Sequence, residues 1–280
     1  MPADHLTIII PVYNEEKVIC HTLDALLSDG ELCATIVTVC NGCLDRSFEK
    51  IESYTKRANA TQHKVTFRNI EIEKGCKISA LNAGYEVCAL SGTVILLDAD
   101  IRVEGKTITK LATTLKNLNL EAASPKANFA YKQSTWLVRR FYEAASSSTY
   151  NRRHRIANVI ALSESSANAL FPLPTIIADD SYIQRCVGKN NYKIISSLSY
   201  RFECPRTFKD MLKVQTRICR GNYELAEKYP NLVAPKSYIT SKSFINKGVL
   251  YAIKLLAKSI ATWQLKTNKQ SLWERDESTR

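Results

Sequence analysis

No run of about eighteen apolar residues occurs in the 280-residue chain, so no membrane-spanning helix is expected. The apolar opening stretch Leu6–Ile10 is too short for a secretory leader and runs into Pro11. The expectation is therefore a cytoplasmic protein, with a peripheral place at the cytoplasmic face of the inner membrane as the membrane option. GxGxxG and the Walker loop are both missing, which leaves dinucleotide and P-loop ATP binding without support. HExxH and GxSxG are missing as well, so any phosphate here has to be held by a metal and basic side chains. Neither zinc-finger spacing nor an RNA-recognition signature accompanies the basic residues, and nucleic acid is not expected as a partner. There is no internal repeat and no low-complexity stretch.

What is present suits one large α/β domain: 45% apolar residues and a net charge of +12. The basic excess points to an anionic partner, a membrane surface or a phosphorylated substrate. Arg139, Arg140, Arg152, Arg153 and Arg155 cluster mid-chain, and lysines stud the C-terminal region. The nine cysteines are scattered and odd in number. Cys20, Cys40, Cys88 and Cys186 sit in apolar runs, as buried thiols of a reducing compartment would. Cys40-Asn41-Gly42-Cys43 has CxxC spacing but no second pair, so chance explains it best.

Leu6–Val12, Ala34–Val39, Val65–Ile72 and Val94–Leu97 read as strands. Between them, Glu15–Leu27, a segment capped by Asp45 and running to about Arg57, and Lys77–Leu90 read as helices, the first stopping at Gly30. This βαβαβαβ order predicts a parallel sheet covered on both faces. Further on, helices are expected at Lys106–Leu118, Thr135–Arg153, Asp180–Val187, Thr207–Lys228 and Gly248–Leu265. Strands are expected at Glu121–Lys126, Val159–Leu162, Tyr192–Ile195 and Leu198–Phe202, with a break at Pro230–Pro235 and a polar Trp273–Asp276 tail. In the last helix lysines alternate with apolar residues. Such a helix can lie in a membrane interface or pack on the core with its lysines snorkelling, and both readings stay open.

The most informative segment is Asp98-Ala99-Asp100, which directly follows Thr93-Val94-Ile95-Leu96-Leu97. A strand ending in two carboxylates places them at the carboxyl edge of an open α/β sheet, where ligands bind. Oxygen ligands in this spacing suit a hard divalent cation shared with substrate phosphates.

Six segments in order then resemble one family. Ile10-Pro11-Val12-Tyr13-Asn14-Glu15-Glu16 looks like the opening strand and loop of family 2 glycosyltransferases of GT-A fold. Asn41-Gly42-Cys43-Leu44-Asp45-Arg46-Ser47 resembles their second loop. Lys74-Gly75-Cys76-Lys77 with Ala80-Leu81-Asn82-Ala83-Gly84 resembles GKxxALNxG. Asp98-Ala99-Asp100 resembles their DxD, and Asp179-Asp180 with Gln184-Arg185 their ED segment. Gln215-Thr216-Arg217 with Arg220-Gly221 is similar to the QxxRW region, although Ile218 and Cys219 replace its end.

The resemblance covers about residues 5–225. It implies an α/β, Rossmann-like, mostly parallel central sheet flanked by helices, with a C-terminal helical extension. It also implies an inverting, metal-dependent hexosyltransferase-type enzyme. Such an enzyme moves a sugar from a nucleotide-sugar, UDP-linked, to an acceptor hydroxyl in surface-polysaccharide or glycolipid synthesis. No transmembrane helix accompanies the motifs, so single addition is expected rather than processive synthesis.

Domain limits follow as 1–235 for the transferase, with 1–127 as the nucleotide-sugar half and 128–235 as the acceptor half. Residues 236–280 form a basic amphipathic extension whose residues 246–266 could touch a membrane carrying a lipid-linked acceptor. The resemblance implies nucleotide-sugar contacts from Pro11, Tyr13, Glu15, Asn41, Lys77, Asp98 and Asp179. It implies Mn²⁺ or Mg²⁺ on Asp100 and a general base at Asp180. Arg217 and Arg220 would contact a diphosphate or the acceptor. The bland alternatives are a strand-end turn at Tyr13, a helix-start acid at Glu15, a solvated lysine at Lys77, a cap from Asp179 or Asp180, and helix-surface arginines. Asp45 reads mainly as an N-cap, Asn82 and Gly84 as packing residues. The rival functions are a non-catalytic basic membrane- or nucleic-acid-binding protein and a sugar nucleotidyltransferase.

Overall fold

The structure, a computed structural model, describes residues 6–59, 64–73, 75–87 and 92–267. Lys74, Cys88, the expected helix end at Leu90 and the Trp273–Asp276 tail lie outside the described residues. In chain order the first elements are β1 (Leu6–Val12), α1 (Ile19–Leu27), β2 (Ala34–Asn41), α2 (Ser47–Asn59), β3 (Val65–Ile72), α3 (Lys77–Glu86), β4 (Thr93–Leu97), α4 (Gly105–Asn117) and β5 (Ala122–Ala130). There follow α5 (Trp136–Ser146), α6 (Thr149–Arg153), β6 (Val159–Leu162), α7 (Glu164–Leu170), α8 (Asp179–Val187), β7 (Tyr192–Glu203), α9 (Phe208–Lys228) and α10 (Phe244–Lys266). The chain divides into two compact units. The first comprises Met1–Lys126, Ile156–Thr175 and Val187–Tyr200, the second Ala127–Arg155, Ile176–Cys186 and Arg201–Arg280.

One seven-stranded sheet runs in the order β3-β2-β1-β4-β6-β5-β7. The strands β1 to β4 are parallel to one another, as their βαβ order requires. The strand β6 is antiparallel to both β4 and β5. Every residue of β1 and β2 is buried, which is why both read as continuous apolar runs rather than alternating ones. The helix α3 lies close on this sheet because Gly84 has no side chain: a Cβ there would sit 2.5 Å from Ile9 Cγ2 and 3.2 Å from Val39 Cγ2. Gly84→Ala should therefore overpack the sheet face and cost about 1–3 kcal/mol, read as a lower urea midpoint at unchanged m-value.

Several element limits differ from the sequence reading. The first helix starts at Ile19 rather than Glu15, because Asn14 takes φ 52° and the Glu15 N–H donates to Ser47 Oγ. The expected Thr135–Arg153 helix is two, α5 and α6, since Ser148 leaves the helix and its hydroxyl accepts the Tyr150 N–H as a cap. The two expected strands between Tyr192 and Phe202 are the single β7, since Ser196-Ser197 carries no breaker. The helix α10 begins at Phe244, where Ser243 caps it. Cys186 is exposed and Cys20 half-buried, so of the four thiols expected inside only Cys40 is buried among the described residues. None of the described cysteines is in a disulfide.

In the second unit a separate core joins Val138, Phe141 and Tyr142 of α5 to Met211 of α9 and Leu250 and Ile253 of α10. Gly221 brings α9 against the turn before α8, where its Cβ would lie 2.9 Å from Ala178 Cβ. Among the described residues no helix is long and apolar enough to cross a membrane.

Candidate active site

Because β1 to β4 are parallel, their carboxyl ends open onto one edge of the first unit. Pro11 lies inside β1, opposite Val39, and the strand continues to Val12. Tyr13 is half-buried with its ring over Gly75, where a Cβ would come 3.2 Å from Tyr13 Cε2. Glu15 is buried at this edge, and its carbonyl accepts the Val18 and Ile19 N–H groups at 3.0 Å where α1 begins. Asn41 is also buried, and its Nδ2 donates to the Val12 carbonyl at 2.6 Å, tying the ends of β1 and β2 together. At Gly42, φ is +65° and a Cβ would lie 2.7 Å from the Gly75 nitrogen. A side chain there would strike the backbone after β3. Asp45 accepts the Ser47 N–H at 3.0 Å and the Glu16 N–H at 3.0 Å, so its cap role stands. A cleft of about 410 Å³ opens here, lined by Gly42, Cys43, Leu44, Glu71, Ile72 and Glu73. The Cys43 thiol is lowered to about 6, chiefly because Cys40 hydrogen-bonds to it.

Beside this edge stands the DxD segment. Ala99 is buried and its carbonyl accepts from Thr22 Oγ1 at 2.7 Å, which anchors the turn. Asp98 is half-buried. Its Oδ1 meets Lys77 Nζ at 3.0 Å, and its Oδ2 accepts from Asn158 Nδ2 at 2.7 Å. Tyr200 Oη in turn donates to Asn158 Oδ1 at 3.1 Å. The lysine that the helix dipole disfavours at the start of α3 is thus explained by an ion pair with Asp98. Asp100, two residues on, is exposed at the edge.

The fit to a divalent cation follows from these partners. Among the described residues no group of three or more His, Cys, Asp or Glu gathers. A cation here would need oxygen ligands from substrate phosphates, the arrangement a Mg²⁺-like site uses. Both Asp98 oxygens are engaged by side chains, and Asp100 is the exposed carboxylate of the segment. Lys77→Met should leave the Asp98 charge uncompensated and cost about 1–3 kcal/mol in denaturant unfolding. The pair Lys77→Met/Asp98→Asn should recover part of that loss, which a double-mutant cycle reads.

The second unit holds the other carboxylates. Asp179 and Asp180 open α8, with Asp179 buried and Asp180 half-buried. Tyr150 of α6 stands near Asp180: its hydroxyl hydrogen-bonds Ser181, Arg185 lies nearby, and burial pushes its pKa up. Arg185 reaches the Leu232 carbonyl at 3.2 Å and Asn222 Oδ1 at 3.1 Å. Glu224 Oε2 accepts the Ile177 N–H at 2.8 Å, so α9 holds the turn that delivers the aspartates. Arg220 is buried in α9 and its Nε has no hydrogen-bond partner among the described residues, while Arg217 is half-buried. Neither is a plain surface arginine. The structure thus groups Tyr13, Glu15, Asn41, Lys77, Asp98 and Asp100 in one unit and Asp179, Asp180, Arg217 and Arg220 in the other.

Asn158, Tyr200 and Tyr150 were not legible from sequence. Asn158 had one signal: an asparagine ahead of a short apolar run, suited to its φ of 64°.

No curated protein matches the chain in sequence. Among solved structures, the mannosyltransferase PcManGT from Pyrobaculum calidifontis, in complex with GDP-Man and Mn²⁺, is similar with TM-score 0.61 and 18% identity, over 96% of this chain and 76% of that one. Residues 1–349 of S. aureus TarS in complex with UDP give TM-score 0.54 at 15% identity, again over 96% and 76%. The same protein in complex with UDP-GlcNAc gives TM-score 0.54 at 14% identity over the same shares. These likenesses establish the GT-A fold. The sequence itself matches the model of glycosyl transferase family 2 over residues 7–172, more than half of its length. The chain belongs to that family and is a glycosyltransferase.

Proposed function

We propose that the enzyme transfers one sugar from a UDP-linked donor to an acceptor hydroxyl, with inversion and with help from a divalent cation. The observation that carries this reading is the Asp98 network. Lys77 and Asn158 hold Asp98 at the strand end while Asp100 stands exposed beside it. Solved relatives of this fold have been seen with GDP-Man and Mn²⁺, with UDP and with UDP-GlcNAc, which supports a nucleotide-sugar donor. Tyr13, Glu15 and Asn41 would line the base and ribose, with Pro11 shaping the turn. Asp98 and Lys77 would face the donor's ribose and diphosphate, and Asp179 would also contact the donor.

Mn²⁺ or Mg²⁺ would be held by Asp100 together with donor oxygens, and when bound would stabilise charge on the leaving UDP. Asp180 would take the proton from the acceptor hydroxyl as that oxygen attacks the anomeric carbon. Arg217 and Arg220 would hold the diphosphate or an anionic acceptor, as guanidinium groups do well.

In this reading residues 1–127 carry the donor, residues 128–235 the acceptor, and residues 236–280 a basic extension. The acceptor is a lipid-linked or surface-polysaccharide precursor, met at the cytoplasmic face of a membrane through residues 246–266.

The test is thermal unfolding with UDP, GDP and CDP, each with Mn²⁺, Mg²⁺ or EDTA. A bound ligand must raise the melting temperature by mass action. The expected result is a shift with UDP that EDTA removes. A shift with GDP alone would move the donor class, and no shift with any nucleotide would sink the donor site.

A further inference from the structure

The helix α10 has two unlike faces. Asn246, Leu250, Ile253, Ala257 and Ala261 form its buried stripe, against α5 and α9. At about 100° per residue, Phe244, Tyr251 and Leu255 fall on the opposite side, with Ile245 and Trp263 on the row beside them. A solvent-facing side of this kind should be polar. Here the exposures are 88% for Phe244, 63% for Ile245, 58% for Tyr251, 67% for Leu255 and 54% for Trp263.

Lys247, Lys254 and Lys258 make one row between the buried stripe and this outward arc. Lys247 Nζ lies 5.9 Å from the Phe244 ring centroid. The helix carries no acidic residue along its length.

An exposed apolar arc of this size marks a binding face, and its chemistry selects the occupant. A second copy docking by the same face would bring lysine rows together with no carboxylate on either helix to compensate. An anionic lipid surface meets the charge. Lysine stems snorkel to lipid phosphates while apolar side chains enter the headgroup boundary, and Trp and Tyr favour that layer. The buried stripe is unaffected by such contact.

We infer that the outward arc of α10 docks flat on an anionic lipid surface while its inner stripe stays packed on α5 and α9. Packing and membrane contact are then two faces of one helix rather than alternatives. The inference rests on the membrane-borne acceptor proposed above for its purpose, and on the geometry of α10 for its content.

The full chain should co-sediment with phosphatidylcholine vesicles that contain phosphatidylglycerol and stay in solution with phosphatidylcholine alone. Lys247→Ala and Lys258→Ala should each weaken partitioning about fivefold, and added salt should weaken it further. Leu255→Glu should abolish it with melting temperature and UDP shift unchanged. The inference falls if the unaltered chain ignores the anionic vesicles, or if Leu255→Glu still binds them. It also falls if that substitution instead removes a concentration-dependent dimer, which would assign the face to a second copy. A retained UDP shift with no vesicle binding would sink the docking face and leave the donor site standing.

Discussion

Asp100→Asn is expected to fold normally and to lose about a hundred- to a thousandfold in kcat, the usual loss when a charge-stabilising group is removed. The residue is exposed at the sheet edge and asparagine matches its size, so its replacement leaves no cavity. The sharper readout is the nucleotide shift. With Asp100 gone, UDP should stabilise the protein equally with Mn²⁺ and with EDTA. Asp98→Asn should behave differently, because it also disrupts the contacts to Lys77 and Asn158 and therefore lowers stability as well as activity. If Asp100→Asn keeps full metal-dependent UDP stabilisation, the cation is held elsewhere and the proposed site is wrong.

Asp180→Asn should lower kcat by about a hundred- to ten-thousandfold, the range a positioned general base supplies. The UDP–metal shift should persist, since the donor is held by other residues in this reading. Asp179, placed on the donor in this reading, should behave differently. It is buried at the first position of α8, where a carboxylate complements the helix N-terminus. Its replacement should cost stability before it costs chemistry. An Asp180→Asn enzyme with unaltered turnover would move the base to another group.

The parallel half of the fold was legible because β1, β2 and nearly all of β4 are buried and each ends in a motif. A run such as Thr7–Val12 needs no partner strand to be recognised, and Asp98–Asp100 announces the edge it ends on. Gly84 was also readable as a packing residue, since a glycine inside a helix that covers a sheet has few other reasons to be there. What escaped was whatever depends on a contact distant in sequence. Lys77 reads from sequence as meeting a ligand or water, but its partner Asp98 is twenty-one residues on, just past the end of β4. Asn158 is sixty residues from the carboxylate it holds, in a stretch without periodicity. The split between α5 and α6 hinges on one serine leaving helical geometry, which Ser147-Ser148 does not advertise. The last helix was read as either membrane-facing or core-packed because a helical wheel shows two apolar sectors but not which of them the fold covers.

The helix α3 is pinned along its whole length. Lys77 holds its first turn to Asp98, and Asn82 exchanges two hydrogen bonds with the backbone of Leu173, at 3.0 and 2.8 Å. Gly84 then sets the helix directly on Ile9. An element fixed at three heights has little freedom to open on its own, so the amides of α3 should be among the slowest in the first unit to exchange with deuterated water. Their exchange should hardly change when UDP binds, because the wall they form is already in place before the donor arrives.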